Sequence, residues 1–100
     1  MKNKLPRELD VETTFNTLFN QIYVHLTEAE TIFHNQKLDL HQKQTSIHHL
    51  SARACGICDA IRVLGYEVRN ADGILSTQEP MNKFFFLVQS IDIEVRKQTN

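Results

Sequence analysis

Residues 15–33 read FNTLFNQIYVHLTEAETIF, and residues 47–64 read IHHLSARACGICDAIRVL. In the first stretch apolar side chains fall at Phe15, Leu18, Ile22, Leu26, Ala29 and Phe33, with gaps of 3, 4, 4, 3 and 4. Eighteen residues cover five turns, the 3.6-residue period of an α-helix whose stripe faces a core. Phe19, Tyr23 and Ile32 widen the stripe, and no Gly or Pro interrupts it. In the second stretch Ile47, Leu50, Ala54, Ile57, Ile61 and Leu64 follow gaps of 3, 4, 3, 4 and 3. That is a 3.5-residue repeat, the period of a coiled-coil seam.

Local signals set the expected ends. Asp10 is a short carboxylate able to accept a backbone N–H of a first turn, so the first helix is expected over 10–36. Residues 1–8 are polar and expected to be flexible, with Pro6 blocking any earlier helix. Asp39 followed by Gln42 resembles a capping box, and Gly65 suits a left-handed C-terminal cap, so the second helix is expected over 39–64. Each helix would be roughly 35–40 Å long at about 1.5 Å per residue. Only Lys37, Leu38 and their neighbours link them, which favours an antiparallel hairpin. Ala52, Ala54, Cys55, Gly56, Cys58 and Ala60 surround the second stripe, and such small side chains imply burial on more than one side.

Residues 66–76 hold the turn signal Asn70-Ala71-Asp72-Gly73 and are expected to form a turn or loop. Ser76 with Glu79 suggests another capping box, with Pro80 in the first turn of a helix over 80–97. Met81, Phe84, Val88, Ile91 and Val95 make its helical stripe, although Ile91 to Arg96 also alternates as a strand would. The helical assignment covers the whole segment and is preferred. Phe86 and Ile93 then lie off the stripe and need a second surface to cover them.

The expected fold is therefore all-α: an antiparallel long-helix hairpin plus a C-terminal helix, in one domain over 1–100. One hairpin cannot enclose a core alone. Phe15, Leu18, Ile22, Leu26, Ile47, Leu50, Ala54, Ile57, Ile61 and Leu64 are expected to face either a core or a second copy, giving a homodimeric helical bundle.

Composition removes several function classes. The chain has 100 residues, 11 Lys and Arg against 12 Asp and Glu, and a net charge of −1. No basic excess exists to grip a phosphate backbone, so no nucleic-acid partner is expected. Three Gly and two Pro are too few for a turn-rich β-sandwich. The longest apolar run, Phe84 to Val88, is far short of a membrane span, so no membrane partner is expected. Lys2, Lys4 and Arg7 precede no apolar stretch, so a cytoplasmic location is expected.

Candidate chemistry is sparse. Cys55-Gly56-Ile57-Cys58 is a C-x-x-C, but it falls inside a helix rather than at a helix N-terminus after a strand, where such redox pairs gain a low thiol pKa. The two cysteines are read as small buried hydrophobes. His48 stands two turns from Cys55, too far for one zinc ion to join all three. His25, His34 and His41 are expected in solvent. No Ser–His–Asp grouping, phosphate loop or carboxylate pair is visible, so neither enzymatic activity nor a cofactor is expected.

His48-His49-Leu50-Ser51-Ala52 resembles the phospho-accepting segment of histidine-phosphotransfer domains. That family has a Lys three residues after its His. Ser51 stands there instead, which removes the cation that would stabilise a phosphoryl group. Phosphotransfer through His48 or His49 is kept as an alternative function.

A broader likeness spans residues 10–68. Asp10-Val11-Glu12-Thr13, then His25 to Phe33, Ser46-Ile47 and Ile61-Arg62-Val63-Leu64-Gly65-Tyr66 together resemble quorum-sensing antiactivators of the TraM type. The resemblance implies a dimer that binds a transcription activator and blocks its contact with DNA. A small non-enzymatic regulator acting by protein–protein binding is thus the expected function, and an inhibitor or immunity-type protein is not separable from it. Phe84, Phe85, Phe86, Leu87 and Ile93 are the expected partner-binding residues, because they present apolar groups on several sides of one helix.

Overall fold

The computed structural model describes residues 6–63 and 77–99, with side chains described for 13–63 and 77–98. Three α-helices account for nearly all of them: α1 (Pro6–His34), α2 (Leu40–Val63) and α3 (Gln78–Thr99). No strand occurs among the described residues. Each helix packs against both others.

α1 begins at Pro6, earlier than the start near Asp10 that its carboxylate suggested. Pro6 is itself the first residue of the helix. At a first helical position its fixed φ is preorganised, and its missing N–H would have had no partner anyway. Residues 6–8 are therefore helical, and residues 1–5 lie outside the described residues.

The turn after α1 is held by side chains. The Lys37 backbone N–H donates to Asn35 Oδ1 at 2.9 Å. Lys43 Nζ on α2 donates to the Phe33 carbonyl at 2.9 Å, satisfying one of the acceptors left open at the end of α1. α2 starts behind the reciprocal capping box. The Gln42 N–H donates to Asp39 Oδ1 at 2.8 Å, and the Asp39 N–H donates to Gln42 Oε1 at 3.1 Å. Leu64, Gly65, the loop expected over 66–76 and Ser76 lie outside the described residues.

α3 is helical throughout, so the alternation of Ile91 to Arg96 is incidental. Its first backbone bond runs from the Met81 N–H to the Thr77 carbonyl at 3.1 Å, which makes Thr77 the cap residue. Met81, Phe84, Leu87, Ile91 and Val95 turn inward and are buried.

The core joins these to Ile22, Leu26 and Ala29 of α1 and to Ile47, Leu50, Ala54 and Ile61 of α2. Phe15, Leu18 and Ile57 are partly buried against it. Phe19 is buried, its ring 6.0 Å from Phe15 and 5.5 Å from Tyr23. The small-residue flank of α2 departs from expectation. Ala52, Cys55 and Gly56 are exposed, and a Cβ built on Gly56 would meet none of the described residues within 4 Å. The middle of α2 is buried on one side only, through Leu50, Ser51, Ala54 and Ile61.

Candidate functional site

The five residues expected to bind a partner divide sharply. Phe84 and Leu87 are buried in the core, Phe84 completely and Leu87 all but an edge. Phe85, Phe86 and Ile93 remain 53, 67 and 46 % exposed. Helix geometry explains the division. Successive residues turn about 100°, so the run from Phe84 to Leu87 sweeps the whole circumference of α3. Phe86 and Ile93, seven residues apart, lie within about 20° of each other and roughly 10 Å apart along the axis. They form an outer stripe opposite the buried one.

Beside Phe86 a groove of about 450 Å³ separates α3 from the end of α1. Glu30, Phe33 and His34 line one wall, and Asn82, Lys83, Phe86 and Leu87 line the other. The outer stripe thus continues into an apolar furrow with ionisable groups at its edges.

A second polar feature joins α2 to α3. His48 Nε2 stands 2.8 Å from Asp92 Oδ1, and Gln44 Nε2 donates to the same oxygen at 2.9 Å. These hydrogen bonds, Gln44's first, hold the Asp92 carboxyl below the usual aspartate range, against a smaller opposing effect of burial. With Nε2 turned to a carboxylate, Nδ1 is the imidazole nitrogen left for other partners. His49 is exposed, but Ser51, at the position a phosphotransfer domain gives to Lys, is buried against the core. That position does not face the solvent side on which His48 and His49 stand.

Cys55 and Cys58 are both free, the first exposed and the second half-buried. The expectation that both are buried is thus corrected. Burial pushes the Cys58 thiol above its ordinary range, only partly offset by a hydrogen bond with Thr77. Tyr23 is raised as well, by burial first and then by the Glu79 carboxylate.

Of the three histidines expected in solvent, His34 and His41 are exposed. His25 is half-buried, and its Nδ1 is shielded without a hydrogen-bond partner. No group of three or more His, Cys, Asp or Glu side chains suited to a metal ion occurs among the described residues. None of the described helices is long and apolar enough to cross a membrane.

Sequence reasoning missed the Gln44–Asp92–His48 network entirely. Its members are 44 and 48 residues apart, and no local pattern marks them. Comparison with known proteins finds no matching family model, no matching curated protein and no matching solved structure.

Proposed function

We propose that this chain is a small non-enzymatic regulator that works by binding protein surfaces, including a second copy of itself. The observation that carries the reading is the outer stripe of α3. Scattered exposed apolar residues are ordinary on soluble proteins. Phe86 and Ile93 instead share one line of a helix whose opposite face already fills the core, and Phe85 stands exposed about 100° round from Phe86. Covering the half of such a side chain that is still exposed is worth about 1–1.5 kcal/mol.

In this reading α1 and α2 run antiparallel as a hairpin and α3 closes its open side. The Lys43–Phe33 bond at the turn and the Asp92–His48 contact support that arrangement. The second copy covers the outer stripe about a twofold axis. The partner class comes from the resemblance to TraM-type antiactivators: a transcription activator whose DNA contact is blocked.

Size-exclusion chromatography with light scattering tests self-association. The wild type is expected as a dimer at tens of micromolar and Phe86→Asp as a monomer. A monomeric wild type at that concentration would remove the dimer. For the antiactivator part, excess protein is expected to release a quorum-sensing activator from its promoter DNA in a gel-shift assay. Unchanged DNA binding would reject it.

A further inference from the structure

Cys55 and Cys58 are three residues apart on α2, so their side chains share a face with Cβ atoms roughly 5–6 Å apart. A disulfide needs Cβ atoms within about 3.5–4.5 Å, closer than a regular turn brings them. Two metal–sulfur bonds of about 2.3 Å each span about 4.5 Å between the sulfurs, and sulfurs on Cβ atoms at helical spacing reach that separation from ordinary rotamers. The magnitudes favour a metal chelate over a disulfide.

Access is open. Cys55 is exposed, and Gly56 between the pair carries no side chain. Cys58 is half-buried and rests against the core cluster, beside its exposed neighbour on the same face. Among the described residues no third His, Cys, Asp or Glu completes a metal-binding group. A closed zinc site needs four such ligands. Two thiolates in line satisfy a soft monovalent ion such as Cu(I).

We propose that Cys55 and Cys58 chelate one Cu(I)-class ion on the open flank of α2. Two thiols and one Cu(I) give one S–Cu–S unit of charge −1 and release two protons. No electron is transferred, and affinity rises with pH because the protons must leave. The site lies away from the outer stripe of α3 and does not depend on the protein-binding reading.

The test is an anaerobic titration of the full chain with Cu(I) against a coloured Cu(I) chelator. One Cu(I) per chain is expected, with a sulfur-to-copper charge-transfer band in the ultraviolet. Cys55→Ser and Cys58→Ser should each abolish the band and lose the competition. Cys55→Ser changes an exposed side chain, and an unchanged helical circular dichroism spectrum shows that it folds. Copper uptake by the wild type no better than by the double serine variant would overturn the proposal. So would full uptake by Cys55→Ser alone, one Cu(I) per two chains, or displacement by equimolar Zn(II).

Discussion

His48 Nε2 and Asp92 Oδ1 meet at 2.8 Å across the seam between α2 and α3. Gln44 donates to the same oxygen, so one carboxylate ties two side chains of α2 to α3. Because these bonds lower the Asp92 pKa in the folded state, the carboxylate contributes stability at pH values above its unfolded pKa. That contribution is lost as pH falls through the lower, folded value. Asp92→Asn should therefore cost about 1 kcal/mol at neutral pH, the scale of a hydrogen bond on a partly exposed group. Below the aspartate range the difference from wild type should vanish. Urea denaturation of both proteins across that range checks the sign. A penalty that persists in acid would mean that Asp92 acts through packing.

The capping box of Asp39 and Gln42 makes a second, simpler prediction. Each side chain accepts from the other's backbone N–H, so removing either frees a donor at the start of α2. Asp39→Ala should destabilise the protein by about 1 kcal/mol. Asp39→Asn or Asp39→Ser should restore most of it, because each offers an acceptor in the same place. Thermal melts of the three variants give the comparison.

Phe84 and Phe86 are two positions apart in sequence and opposite in environment. Phe84 is fully buried, and Phe84→Ala should cost about 3–5 kcal/mol through lost burial and the cavity left behind. Phe86→Ala, on the outer stripe, should cost the isolated fold within about 0.5 kcal/mol. Denaturant titrations at low concentration, where association is weak, separate the two. A large loss from Phe86→Ala under those conditions would show that the outer stripe supports the fold itself.

The helical periods were legible from the residues alone, and so was the capping box at Asp39. Ile22, Leu26, Ile47, Leu50 and Ile61 all sit where their spacing placed them, in the core. Three features were not legible, each for a physical reason. Small residues carry little directional signal, so nothing in the sequence marks the flank of Ala52, Cys55 and Gly56 as open. The unbroken apolar run from Phe84 to Val88 has no polar residue to mark its outer side, so Phe85 and Phe86 could not be told from Phe84 and Leu87. Asp92 and His48 come together only through the packing of two helices distant in sequence.

Gly56 gives the last prediction. It sits in the middle of α2, where glycine is less favourable than alanine by about 0.8–1.0 kcal/mol, and a Cβ would meet none of the described residues within 4 Å. Its cost is therefore not offset by close packing against the described residues. Gly56→Ala should raise stability by about 1 kcal/mol, since alanine also narrows the unfolded ensemble. Read by denaturation at low protein concentration, that gain belongs to the single chain. If the gain is present there but self-association weakens, the open flank of α2 is itself a contact between copies. If both stability and association rise together, Gly56 lies clear of any interface and the outer stripe of α3 is left as the surface that copies share.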